Sequence, residues 1–360
     1  MKKLLIMILY LSHSVFANEY ILVDDYYKNN SEQKLNFEKF STLVKSDAKK
    51  LSIKQEKTIK IYMVYPGEQI SDYWRRSKKS FEARLKELNI QYELIDYFTK
   101  PSVEISKQAQ ALFQALNEDT DYLIFTLDAT KHFKFISTML NRDRPKIILQ
   151  NITTPLKSFL NKQPFLYDGF DHTIGAKILA DEYIKQTGKN GKYAVLYGSK
   201  GYVSTMRGDR FISYLEKNSN LKLLDSYYTD FNKEKAKLAT FDILKNHKNI
   251  DFIYACSTDI SLGVIEALEE KSMLGKIKVN GWGGGSAEIE SIKEGKMDFT
   301  VMRMNDDNGV AMAESIKLDL QNQINKIPLI FSGEFELIKK GISNEELNIL
   351  KEKAFRYSGF

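Results

Sequence analysis

Residues 59–74 read Ile59-Lys60-Ile61-Tyr62-Met63-Val64-Tyr65-Pro66-Gly67-Glu68-Gln69-Ile70-Ser71-Asp72-Tyr73-Trp74. The first seven are rich in β-branched and aromatic side chains, which predicts a buried strand, and Pro66-Gly67 closes it. Beyond the turn, Trp74, Phe81, Leu85 and Leu88 fall on one helical stripe. The same rhythm then repeats. Strands are expected at 92–98, 122–127 and 147–149, with helical spacing between them. After Asn151-Ile152-Thr153-Thr154-Pro155 and a connecting stretch, a helix is expected from His172 to Ile184. A second series follows, with strands at 193–197, 221–227, 252–256, 277–281 and 299–302. Apolar strands alternating with helices mean a parallel sheet covered on both faces. Two series in tandem predict an α/β chain of two doubly wound parallel-sheet (Rossmann-like) domains, which suits a length of 360 residues.

Two segments precede this pattern. Lys2 and Lys3, the apolar run Leu4 to Leu11 and the small-residue site ending at Ala17 predict a cleavable signal peptide over 1–17. The run is far short of the ~18 apolar residues of a spanning helix. Residues 18–57 are polar, with helical spacing at Phe37, Phe40 and Leu43, and are read as a helical extension.

Composition excludes several classes. Hydrophobic residues make up 43% and charged residues 28%, so the chain is an ordinary globular one. Removal of Lys2 and Lys3 takes the formal charge from +6 to +4, a weak excess that gives no case for nucleic acid. Cys256 is the single cysteine, which rules out an intrachain disulfide framework and multi-cysteine metal sites. The histidines, His13, His132, His172 and His247, show no metal-ligand spacing. No phosphate-binding glycine fingerprint occurs, and no carboxylate pair stands out for acid–base work. The expectation is a protein that is not an enzyme and holds no metal or cofactor.

Open parallel sheets bind ligands beyond the carboxyl ends of their strands. Gln69, Ser71 and Trp74 follow the first strand, and Asn151 the fourth. In the second series Arg207, Thr258, Trp282 and Arg303 follow strands in turn. The chain's two tryptophans thus arise from different series, as two walls of one cleft would. Two forked cations, two flat apolar surfaces and several amide and hydroxyl groups suit a compact, hydroxylated, anionic ligand. Each residue also has a plainer reading. Trp74 lies on a core stripe, Arg207 would by default make a surface ion pair, and Ser71, Thr258 and above all Asp259 fit as helix N-caps.

The segments Pro66 to Trp74, Asp121 to Asp128, Leu149 to Pro155, Asp251 to Asp259, Asn280 to Ala287 and Val301 to Asp307 carry a resemblance. From about residue 58 to the C-terminus the chain resembles the ribose-type periplasmic sugar-binding proteins. Within them it resembles the autoinducer-2 receptors of vibrios and their relatives. That resemblance implies the type I periplasmic binding protein fold, with two lobes joined by a hinge of three crossings. The lobes would comprise 58–155 plus 306–328 and 160–304 plus 330–360, with crossings near 154–165, 304–309 and 326–332. It implies a ligand, autoinducer-2 as a furanosyl borate diester, bound by Gln69, Ser71, Trp74, Asn151, Arg207, Thr258, Trp282 and Arg303. Glu68, beside the motif glutamine, is not carried over. Boron would enter only as part of the ligand. The implied partner is the periplasmic domain of a LuxQ-like membrane sensor kinase, and the implied location is the periplasm.

The competing reading is the substrate-binding protein of an importer for ribose or unborated autoinducer-2. A hydrolase on this fold would need an acid–base pair in the cleft. A regulator would need a DNA-binding helix pair where the signal peptide stands.

Overall fold

The computed structural model describes residues 19–127, 130–159 and 162–359, with backbone only at 130 and 131, so the signal peptide expected over 1–17 lies outside the described residues. In chain order the strands are β1 (Ile59–Tyr65), β2 (Tyr92–Phe98), β3 (Tyr122–Phe125), β4 (Lys146–Gln150), β5 (Leu166–Phe170), β6 (Asn190–Tyr197), β7 (Asn220–Tyr228), β8 (Phe252–Ala255), β9 (Lys278–Gly283), β10 (Phe299–Arg303), β11 (Ile330–Gly333) and β12 (Phe335–Lys339). They form two six-stranded sheets, ordered β11-β5-β4-β3-β1-β2 and β12-β10-β9-β8-β6-β7. All neighbours are parallel except β12, which runs antiparallel to β10.

β1 shows why the sheets are buried on both faces. Ile61, Met63 and Tyr65 point into one apolar cluster, and Tyr62 and Val64 into another on the opposite face. Side chains alternate across a strand, so a continuous apolar run needs cover on both sides. The extension ahead of β1 forms helices Val23–Asn29 and Ser31–Lys45. Phe40 and Val44 of the second helix join the first-lobe core.

The lobe boundaries differ from the sequence reading at two places. That reading opens the second lobe at residue 160, yet β5 pairs with β4 in the first sheet, so the chain crosses between Phe170 and His172. It also assigns residues from 330 to the second lobe, yet β11 pairs with β5, and the crossing falls between Gly333 and Phe335. β5 contains Asp168 and Gly169, which strands disfavour, and β11 has only four residues, so neither carries a strong periodic signal. The middle crossing lies between Arg303 and the helix Asp306–Leu320.

One buried ion pair ties the first lobe together. Arg84 of the helix Tyr73–Glu87 donates from Nε (2.8 Å) and Nη2 (2.7 Å) to Glu314 of the helix Asp306–Leu320, and both side chains are wholly inaccessible. Its Nη2 also reaches the Ser46 carbonyl at the end of the N-terminal extension, and Nη1 reaches the Tyr357 hydroxyl of the C-terminal tail. Lys317 contacts the same carboxylate. Removing one partner strands a buried charge, which costs about 3–5 kcal/mol. Glu314→Ala should therefore lower the unfolding free energy by about 3 kcal/mol or more in urea titrations; a loss below ~1 kcal/mol would show that water reaches Arg84.

Candidate functional site

Two helix starts and four strand ends converge between the lobes. Gln69 and Ser71 lie in the loop after β1, and Trp74 is the second residue of the helix Tyr73–Glu87. Asn151 directly follows β4 at φ 63°, a left-handed conformation that asparagine tolerates. Arg207 sits in a π-helical turn, Thr205–Asp209, between β6 and the helix Arg210–Asn218. Such turns re-aim a side chain out of regular helical register. Thr258 opens the helix Thr258–Glu270, Trp282 lies within β9, and Arg303 ends β10. All eight line one cavity, together with Tyr73, Pro101, Thr126, Val203 and others. No Asp or Glu is among the described residues of that lining.

The two arginines are buried. Arg207 donates from Nη1 to the Cys256 carbonyl (2.8 Å) and from Nε to His172 Nδ1 (3.3 Å). Its guanidinium lies 4.2 Å from the centre of a Trp282 ring. Burial, and then the positive charge of Arg303, bring its pKa down to about 9. Arg303 stands 4.1 Å over the Tyr73 ring, and its Nη2 makes a long 3.4 Å contact with the Trp282 carbonyl. Its Nε and Nη1 are buried without a hydrogen-bond partner. Burial lowers its pKa as well. Neither arginine forms a salt bridge among the described residues, so Arg207 does not make the surface ion pair that was the default reading.

The tryptophans do two jobs. Trp74 packs on Tyr65 and Tyr73, at 4.7 and 4.8 Å between rings, and also faces the cavity. Trp282 is more deeply packed than a loop position suggests, because β9 runs on through Gly283 and takes it into the sheet. It is fully buried, donates from Nε1 to the Tyr254 hydroxyl (2.8 Å) and meets Phe335 edge-on. The buried oxygens Asn151 Oδ1 and Thr153 Oγ1 also have no hydrogen-bond partner among the described residues. Thr258 Oγ1 donates to the Trp282 carbonyl at 3.3 Å.

Asp259 is not the helix cap. Ser257 takes that place, accepting from Ile260 N, and the Asp259 carboxylate reaches across to the first lobe. There it accepts from the backbone N–H groups of Ile70 (3.0 Å) and Ser71 (3.2 Å). A second bridge joins Asp72 to the N–H and hydroxyl of Ser286, with Arg76 bonded to both side chains. The lobes are therefore shut. Gly285 permits this approach, since a Cβ there would stand 2.2 Å from Asp72 Oδ1. Sequence reasoning also missed Tyr73, which supplies the face under Arg303, and His172, which holds Arg207. An aromatic residue at a helix start beside a strand end was the available signal for Tyr73.

The Trp282 wall depends on a glycine. A Cβ at Gly175 would lie 2.4 Å from Trp282 Cη2 and 3.1 Å from Phe335 Cζ. Overpacking of this kind costs about 1–3 kcal/mol. Gly175→Ala should lower stability by that amount and alter the near-ultraviolet circular dichroism; a spectrum and melting curve identical to wild type would show the ring free to shift.

No described helix is long and apolar enough to cross a membrane. The profile of the periplasmic binding protein domain matches residues 61–323. The D-allose-binding periplasmic protein of Escherichia coli K12 is 25% identical over 276 residues, covering 74% of this chain and 86% of that protein. The ribose import binding protein of Salmonella typhimurium is 25% identical over 150 residues, 41% of this chain and half of its own length. Among solved structures, GanP, a glucose-galactose binding protein from Geobacillus stearothermophilus, superposes with a TM-score of 0.70 at 18% identity, covering 79% of this chain and 98% of its own. These proteins bind ligands rather than transform them, and by fold and sequence this chain belongs to the periplasmic binding protein domain family.

Proposed function

We propose that the chain is a periplasmic receptor of the LuxP kind, which binds autoinducer-2 as its furanosyl borate diester between the lobes. The observation that carries this reading is the pair of buried guanidinium groups, Arg207 and Arg303, on one cavity whose described lining holds no carboxylate. Borate esterified by a cis-diol is a tetrahedral anion. Arg303 Nε and Nη1 have no protein partner and would bond its oxygens by charge-assisted hydrogen bonds. Gln69, Ser71, Asn151 and Thr258 would read the remaining hydroxyls, with Trp74 and Trp282 as walls. After removal of the signal peptide the receptor would act in the periplasm and report lobe closure to a LuxQ-like sensor kinase.

A second reading, the substrate-binding protein of an importer for ribose or unborated autoinducer-2, is favoured by the D-allose- and ribose-binding relatives. The ligand charge separates the two. A neutral sugar leaves two buried cations unpaired, which is costly in a closed cleft.

Titration with autoinducer-2 precursor, with and without borate, decides between them. Trp74 and Trp282 are the only tryptophans and both line the cavity, so fluorescence reports it directly. The expected result is a saturable change that depends on borate; an equal response without borate, or a response to ribose, would support the importer reading. Arg303→Met should cost at least tenfold in affinity, since charge-assisted bonds contribute about 1.5–3 kcal/mol each. Asp259→Ala removes the closing contacts to Ile70 and Ser71. It should weaken affinity about tenfold while keeping the borate dependence, whereas unchanged affinity would show that those contacts do not bias closure.

A further inference from the structure

We propose that His172, a residue outside the ligand set, is the positioning residue that aims Arg207 at the ligand without neutralising its charge. The inference rests on the proposed function for its ligand and on the following contacts for its mechanism.

His172 is the first residue of the helix His172–Thr187, immediately after the chain crosses from the first lobe. Asp171 caps that helix by accepting from Thr173 N, which fixes the backbone on which the imidazole is carried. The ring is buried, lying between Tyr202 (5.6 Å) and the edge of Trp282 (5.7 Å). Its Nε2 is 3.1 Å from the Asn151 carbonyl, which can only accept, so Nε2 carries the proton. Its Nδ1 is 3.3 Å from Arg207 Nε, which can only donate, so Nδ1 holds a lone pair. Both contacts are satisfied by one state, the neutral Nε2–H tautomer. Burial, and then the charges of Arg207 and Arg303, push its pKa well below the usual value, in agreement with that state.

A neutral acceptor at this position has a consequence for ligand charge. An aspartate or glutamate against Arg207 would also orient it, but would cancel its charge and repel an anion. Imidazole orients the guanidinium and leaves the charge whole. Nε is held by His172 and Nη1 by the Cys256 carbonyl, which leaves Nη2 for the ligand. The same ring fixes the carbonyl of Asn151, whose side-chain oxygen is buried without a partner. One imidazole thus registers a first-lobe amide against a second-lobe cation.

The test pairs a ligand-independent readout with binding. In the ligand-free chain, long-range proton–nitrogen spectra should show His172 as the neutral Nε2–H tautomer. The Arg207 Nε–H signal, assigned by its loss in Arg207→Lys, should exchange slowly. His172→Asn places an acceptor oxygen near the Nδ1 position. It should keep that slow signal and bind autoinducer-2 with borate within about threefold of wild type. His172→Phe should lose the slow signal and bind at least tenfold more weakly. An Nδ1–H tautomer, or a phenylalanine variant with slow exchange and wild-type affinity, overturns the proposal. If the phenylalanine variant does not fold, the tautomer and the exchange in His172→Asn decide. Slow exchange and the expected tautomer without borate-dependent binding would instead overturn the ligand assignment and leave the positioning of Arg207 standing.

Discussion

Two cations share one cavity between the lobes, and among the described residues neither has a carboxylate bonded to it. Everything else about the site is arranged around that constraint. A buried charge is unfavourable unless it is paired or hydrogen-bonded. The protein answers with partial measures: the faces of Trp282 and Tyr73, the Cys256 and Trp282 carbonyls, and the lone pair of His172. Each is neutral, so the net charge survives. Burial first, and the charge of Arg303 second, hold the Arg207 pKa below its usual value.

The first lobe treats its buried arginine in the opposite way. Arg84 is equally inaccessible, but Glu314 takes two of its donors, and the Ser46 carbonyl and Tyr357 hydroxyl take others. That arginine is structural and fully compensated. Arg303, with two nitrogens unpartnered, is not. The contrast separates a fully paired buried cation from one that keeps donors to spare.

Much of this was readable in the sequence because strands in an α/β sheet announce themselves as apolar runs, and ligands collect where those runs end. That logic pointed to the stretches that meet at the cavity, and the family resemblance picked out the eight candidates within them, all of which line it. It did not locate β5 or β11, whose composition carries no periodicity, and so it misplaced two of the three crossings. Nor did it distinguish Asp259 from a helix cap. A carboxylate two residues into a helix looks the same in sequence whether it bonds its own backbone or that of Ile70 and Ser71 across the cleft. His172 was invisible for the same reason: its role depends on Asn151 and Arg207, 21 and 35 residues away along the chain.

The contacts that shut the lobes lie largely apart from the contacts offered to the ligand. Asp259, Asp72, Arg76 and Ser286 close the molecule by bonds among themselves and to backbone. Closure by these groups alone brings Arg207 and Arg303 onto one cavity whose described lining holds no carboxylate. The favourable bridges and the unfavourable charge therefore oppose each other. A ligand can shift such an equilibrium only by its differential affinity for the closed form. An anion removes the term that resists closure and adds bonds that exist only when both lobes meet it. On the proposed reading a neutral sugar would supply the second effect without the first, and the charge of the ligand would set how completely the molecule shuts.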